Sequence, residues 1–248
     1  MKTVMIRVGI DSGCGGIQGP LFLDGTFEYI PIPDDHVVDD RTYGNTKGRH
    51  SGSHIGYHSD NCGSLIDYFP LSRQSKMMDQ SIHFDPEFET YTYGDPTRPK
   101  SSLKKLEEGD MLIFFCGLEG LDFECEPAIY LMGYFEVLTA GIAANFEPDV
   151  IDNLFTKNFH VMHRDRFNEQ KDRLVLVKGS NESRLLKKAV LISTMDRDKA
   201  GRPLKILSPE MRKTFGDFHG HLAIQRSPPR WVDSLFAEKA AEFMRSCD

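Results

Sequence analysis

Two apolar runs near the middle of the chain limit its architecture more than any other feature. Gly109-Asp110 is a turn that launches the first, Met111-Leu112-Ile113-Phe114-Phe115, a short continuous run that reads as a buried strand. In the second, Ile129, Leu131, Gly133, Phe135 and Val137 alternate with Tyr130, Met132, Tyr134, Glu136 and Leu138, the clearest long strand in the sequence. Shorter strands are expected where Val4, Ile6, Val8 and Ile10 alternate as on a half-buried strand, and at 174–177, 189–192 and 221–225. Residues 183–188 read as a basic turn or helix. Asp24-Gly25 between the apolar stretches 21–23 and 27–30 favours a hairpin.

Helix signals are fewer. Ser102 can cap a short helix carrying Leu103 and Leu106, and Pro148 suits the first turn of a helix burying Val150, Ile151, Leu154 and Phe155. Ser208-Pro209-Glu210 opens a third, which Gly216 ends, and a last begins near Asp233 and buries Phe236, Ala240 and Phe243. Strands outnumber helices and do not alternate with them. The expected class is therefore α+β, a mixed, curved or barrel-like sheet with peripheral helices, in one domain over residues 1–248. Residues 34–75 are polar and irregular over a length that usually marks a functional or mobile loop.

Composition narrows the environment. The most apolar stretch, 128–144, contains Glu136 and two glycines and falls short of the ~20 apolar residues of a spanning helix, so no membrane partner is expected. The start, MKTVMIRVGID, lacks the apolar core of a secretion signal, and five cysteines without CxxC pairs read as reduced thiols of a cytoplasmic protein. The net charge is −7, but residues 151–248 hold 19 Lys+Arg against 13 Asp+Glu, while residues 1–150 hold 11 against 24. Such a split can seat an anionic ligand, or only mark complementary surfaces.

The candidate site residues lie at loops and strand ends. Asp11-Ser12-Gly13-Cys14-Gly15-Gly16 can offer phosphate-binding amides at Ser12 and Gly13, yet fits neither the Walker pattern nor GxGxxG; a packed glycine turn is the plainer alternative. Asp11 can hold a ribose hydroxyl, a metal or a base edge. Arg41 can grip a phosphate bidentately, or simply pair with Asp85. Asp11, Asp85 and Asp95 can orient or deprotonate a substrate, Tyr43 and Tyr93 can stack on a base, and Glu87 completes the polar set. His219, with Asp217 and His221, is the acid–base candidate of the basic half.

His50, His54, His58 and Cys62 recur every four residues, but the glycines among them make a helix poor, and a flexible polar loop is the better reading. His160-x-x-His163 is a second weak pair, and no metal site is assigned. Lys187, Lys188, Arg197, Lys199, Arg202, Lys205, Arg226 and Arg230 can meet a nucleic-acid backbone or form a solvated face. Trp231 can stack on a base or dock the terminal helix.

The Gly109-Asp110 strand and the glycine-centred strand after it resemble the middle of the PUA-like superfamily, especially EVE and ASCH domains, over a core around 103–225. That resemblance implies a concave face for an extruded base, held by stacking and edge hydrogen bonds. Over nearly its whole length the chain also resembles the third type of nucleotide-modification-associated domain, found mainly in phages and bacteria. The residues carrying it are Ile6-Arg7-Val8-Gly9-Ile10-Asp11-Ser12-Gly13, Gly19-Pro20-Leu21-Phe22, Tyr29-Ile30-Pro31-Ile32-Pro33-Asp34, Arg41-Thr42-Tyr43-Gly44, His83-Phe84-Asp85-Pro86-Glu87-Phe88, Thr92-Tyr93-Gly94-Asp95 and Gly109-Asp110.

Genomic neighbourhood links that family to enzymes that build hypermodified DNA bases. The resemblance implies a protein that acts on or recognises a nucleotide or modified DNA base, as a transferase or as a non-catalytic reader. A structural subunit is the third possibility. The implied partners are nucleotide or DNA and other enzymes of a base-modification pathway; no cofactor is identified. This reading requires Asp11, Arg41, Asp85 and Tyr93 to converge on one cleft.

Overall fold

The chain runs through β1 (Thr3–Arg7), β2 (Gly19–Leu21), β3 (Ile32–Pro33), α1 (Leu71–Met77), β4 (Ile82–His83) and β5 (Thr92–Asp95) before reaching the central strands β6 (Met111–Gly120) and β7 (Ala128–Ile142). The helices α2 (Pro148–Leu154), α3 (Phe159–Met162) and α4 (Arg164–Gln170) precede β8 (Val175–Gly179), β9 (Arg184–Leu191), β10 (Ser193–Arg197) and β11 (Pro203–Leu207). Then α5 (Pro209–Phe215), β12 (Arg230–Trp231) and α6 (Ser234–Ser246) complete the chain. The computed structural model describes residues 1–50, 52 and 63–247.

The main sheet has the order β12-β1-β6-β7-β8-β5, with β2 also on β6 and β9 also on β7. Strand β6 is parallel to β1 and β2 and antiparallel to β7, so the sheet is mixed. Helices lie at its periphery, and it does not close into a barrel. Register shifts between Leu131 and Gly133 and between Val137 and Thr139 bend β7. The first part of this strand then pairs with β6 and β9, and its last part with β8.

Gly109 adopts a φ of +82°, and the Asp110 carboxylate accepts the Lys2 N–H at 2.6 Å and the Glu107 N–H at 2.9 Å. The turn is thus tied to the start of β1 before β6 begins. Along β6 every side chain from Met111 to Phe115 is fully buried, and Phe114 packs edge-on against Phe135 at 4.6 Å. Strand β1 departs from the expected half-buried alternation: Met5 is as buried as Val4 and Ile6, because the strand sits inside the sheet and carries α6. The helix is fastened there by the Thr3 hydroxyl, which donates to the Ala237 carbonyl at 2.9 Å.

Local signals place several helices as expected. Ser208 Oγ accepts the Met211 N–H, Gly216 ends α5 at a φ of +72°, and Asp233 caps α6 through the Leu235 N–H. Other expectations change. The Ser102 segment is a 3-10 stretch that starts earlier, Arg98–Lys105, and 183–188 belongs to strand β9 rather than to a turn or helix. Only Ala223 of 221–225 makes a bridge, to Ile206.

The polar region after residue 34 is also more structured than its composition suggests. Tyr43, Leu65, Ile66, Tyr68, Phe69 and Met77 form a second core with Ile10, Phe22, Ile30 and Ile82. A few apolar residues scattered through a polar segment have no period to read, yet together they bury a complete cluster. His54, His58 and Cys62 lie outside the described residues; His50 packs its ring against Phe22 at 5.5 Å.

Candidate functional site

A cavity of about 300 Å³ opens where the β4 and β5 region meets α3, α4 and the stretch Arg98–Lys105. Its polar centre is built on Asp85. The Gly94 N–H donates to both Asp85 carboxylate oxygens at 3.0 Å. On one side His83 Nε2 stands 3.7 Å from Asp85 Oδ2, and on the other His160 Nε2 stands 3.5 Å from it. The three side chains are 11%, 4% and 3% exposed for His83, Asp85 and His160.

Local sequence explains how they meet. His83 ends β4, and the chain turns tightly after it, the Asp85 N–H donating to the His83 carbonyl at 3.0 Å, which keeps the two side chains close. Gly94 leaves room for α3: a Cβ there would lie 2.9 Å from Asn158 Oδ1 and 3.0 Å from His160 Cδ2. Asn158 caps α3 by accepting the His160 N–H at 3.1 Å, which fixes where the imidazole starts. The His83 ring stacks on Phe159 at 3.8 Å.

A second layer of hydrogen bonds orients both rings. Asp34 Oδ2 lies 3.0 Å from His83 Nδ1, and Gln170 Oε1 lies 3.1 Å from His160 Nδ1. A carboxylate or amide oxygen can only accept, so each Nδ1 carries its hydrogen and each Nε2 turns toward Asp85. Asp34 is held in turn by the Arg166 guanidinium at 3.1 Å and His36 at 2.9 Å.

These environments move the titrations apart. Burial pushes the Asp85 carboxyl up to about 7, with the His83 hydrogen bond opposing it. Burial also pushes His160 down to about 3, helped by the nearby His83 and Arg166 charges. In His83, burial lowers the value, but Asp34 and Asp85 outweigh it and the net direction is up. Burial likewise works against the Asp34 carboxylate, but hydrogen bonds from His83, Arg166 and His36 hold it well below the usual carboxylate range.

Cations surround the same cavity. Arg7, Lys100, Arg166 and Arg226 all line it. Lys100 is 3% exposed, and burial lowers its ammonium to about 8 against the opposing pull of Asp95. Among the described residues, Lys100 Nζ, Arg7 Nε and Arg166 Nε are buried with no hydrogen-bond partner. Arg226 donates to Asp11 Oδ2 and to the Gly9 carbonyl, both at 2.7 Å, while Arg7 lies 3.5 Å from Asp11. Burial raises the Asp11 pKa, but these two guanidiniums bring it below its ordinary value.

The expected convergence of Asp11, Arg41, Asp85 and Tyr93 on one cleft does not occur: the cavity is lined by Asp85 and Tyr93 but not by Asp11 or Arg41, and gathers only part of the set read from sequence. Asp85, Tyr93 and Asp95 line it, with Tyr93 donating to Asp95 Oδ2 at 3.1 Å, and Asp11 stands behind its cations. The loop amides face elsewhere. The Gly13 N–H donates to Asp11 Oδ1 at 2.8 Å, and Ser12 borders a separate depression. Arg41 pairs with Asp39 rather than with Asp85, covers the Phe84 ring at 4.6 Å and, with Glu87, lines a different cleft of about 510 Å³. The Glu87 carboxylate organises the turn below it by accepting the Thr90 N–H at 2.9 Å.

Tyr43 is fully buried and donates to the Pro31 carbonyl at 2.7 Å, so it offers no face for stacking. His219 is 73% exposed beside Asp233 and does not line the cavity. Of the histidine pair 160 and 163, only His160 enters the cluster; His163 caps α4. Trp231 donates to Ser102 Oγ at 3.2 Å. Sequence reasoning missed His83, Lys100, Arg7 and Arg166. The nearness of His83 to Asp85 in sequence was a usable signal. Nothing local marks Lys100, which looks like any surface lysine until the fold buries it.

No helix of the described residues is long and apolar enough to cross a membrane. Comparison with curated proteins and with solved structures returns no match. A family model described as Nucleotide modification associated domain 3 matches residues 2–246, nearly the whole chain, and the chain therefore belongs to that family.

Proposed function

We propose that this chain is an enzyme acting on a nucleotide whose phosphate is held in the cavity of Arg7, Lys100, Arg166 and Arg226. The observation that carries the reading is the set of three buried cationic nitrogens without acceptors, all belonging to residues that line one cavity. Arg7 and Arg166 have carboxylate partners in Asp11 and Asp34 and keep only an Nε–H free, whereas the Lys100 ammonium has no hydrogen-bond partner among the described residues; a buried cation left so is costly, and an anionic ligand removes that cost. Guanidinium groups also match phosphate geometry. The family's link to nucleotide modification supplies the substrate class. Adding a group to a base is a group transfer, so a transferase is the enzyme class this reading names. The substrate comes as a free nucleotide or as a residue of DNA.

A second reading, a non-catalytic reader of modified bases, draws support from the larger cleft. Tyr29, Phe84, Phe88 and Tyr91 line it, together with Arg41 and Arg184. Aromatic faces of this kind stack on bases for about 1–3 kcal/mol each. The test is calorimetric titration with phosphate, nucleoside monophosphates and plain and modified oligonucleotides, followed by mass spectrometry of the recovered ligand. Binding that weakens in Lys100→Met and Arg166→Gln, with an altered ligand mass, supports the enzyme. Binding that weakens only in Phe84→Ala and Phe88→Ala, with the ligand unchanged, supports the reader. No binding of any of these ligands overturns both.

A further inference from the structure

We propose that His83, Asp85 and His160 form a binding site for one divalent first-row transition-metal ion, with its free coordination positions open to the cationic cavity. One ligand atom from each of the three residues lies within 4.8 Å of the others, and the two imidazole–carboxylate separations are 3.5 and 3.7 Å. A metal about 2.0–2.2 Å from each donor needs neighbouring donors about 3.0–3.5 Å apart. The two imidazole–carboxylate pairs reach that spacing by closing by a few tenths of an ångström, and the two imidazole nitrogens, within 4.8 Å of each other, by up to about 1.3 Å.

The outer contacts are those a metal site requires. Both rings present Nε2 inward because each Nδ1–H is taken by an oxygen, Asp34 for His83 and Gln170 for His160. Carboxylate or amide oxygens behind ligating imidazoles fix the tautomer and raise ligand basicity. Asp85 is held by the Gly94 N–H, His83 by its stack on Phe159, and His160 by the Asn158 cap, so the donors are preorganised. Two imidazoles and one carboxylate favour iron, zinc or another first-row ion over magnesium or calcium, which prefer all-oxygen shells. Three protein ligands also leave positions for substrate or water, and here those positions face residues suited to an anion. The metal proposal does not depend on the phosphate reading.

The test uses the full chain stripped with chelator and then titrated with Co²⁺, with Zn²⁺ as competitor. The expected result is one Co²⁺ per chain with visible ligand-field bands, displaced stoichiometrically by Zn²⁺. In ¹⁵N spectra, Zn²⁺ should shift the ring nitrogens of two histidines. His83→Ala and His160→Ala should each weaken Co²⁺ binding at least tenfold, and Gln170→Leu, which removes only an outer contact, by roughly 10–100-fold. His219→Ala, whose side chain is exposed and does not line the cavity, should leave Co²⁺ binding unchanged, and titration in phosphate-free buffer keeps the outcome separate from the phosphate reading. If the histidine variants do not fold, the ring-nitrogen shifts in the unmodified chain decide. No uptake, uptake without those shifts, or uptake equal in folded His83→Ala and His160→Ala overturns the proposal.

Discussion

Replacing Lys100 by methionine tests whether the cavity trades stability for anion binding. The lysine ammonium is 3% exposed and without an acceptor among the described residues, and its pKa falls from 10.5 to about 8. At roughly 1.36 kcal/mol per pKa unit, the buried charge costs the fold about 3 kcal/mol. Methionine keeps most of the stem's packing and removes the charge. The variant is therefore expected to be more stable than the parent at pH 7, by up to about 3 kcal/mol, or about 6–12 °C in Tm for a chain of this length.

The pH dependence has a definite sign. Between about 8 and 10.5 the unfolded chain binds more protons at this lysine than the folded chain does, so the parent gains stability as pH rises through that window. The advantage of the variant is thus full below pH 8 and fades toward 10.5. Scanning calorimetry in phosphate-free buffer at pH 7 and near pH 10 measures both values. Added phosphate should raise the Tm of the parent and much less that of the variant. An equal or lower Tm for the variant at pH 7, or an equal response of both proteins to phosphate, refutes the reasoning.

Further expectations follow from the surrounding geometry. Gly94→Ala places a Cβ 2.9 Å from Asn158 Oδ1, against the wall that carries His160. Its urea midpoint should fall by an amount worth about 1–3 kcal/mol, as for overpacking, and an unchanged midpoint argues against the close approach. Asp11→Asn removes the negative charge that faces Arg226 and Arg7. It should destabilise the fold by about 1–3 kcal/mol yet retain phosphate binding in calorimetry, whereas loss of binding without destabilisation makes Asp11 a ligand contact instead. Tyr43→Phe strands the buried Pro31 carbonyl, a loss of about 1 kcal/mol in chemical denaturation with ligand affinity unaltered. His219→Ala, on an exposed side chain, should change stability by less than about 0.5 kcal/mol and leave anion binding intact.

Sequence alone settled the features whose causes are local. The Gly109-Asp110 turn, the buried strand after it, the long strand β7 and the caps at Ser208 and Asp233 depend on residues within a few positions of one another, and the structure has each of them. Family membership was legible for a related reason, because short motifs spread along the whole chain carry it. Asp85, Tyr93 and Asp95 were legible too, as polar groups at turns and strand ends.

Only the tertiary structure decided which of those groups share a cavity. His83 and His160 are brought together by a glycine with no side chain to keep α3 away, and Arg41 and Tyr43 are carried off to another cleft and to a second core. Whether a lysine is solvated or buried without a partner depends on what long-range packing places around it, and spacing along the chain does not encode that. The candidate site was therefore half visible as a list of chemical groups, and those groups came to share one cavity only when the sheet and its helices set the distances between them.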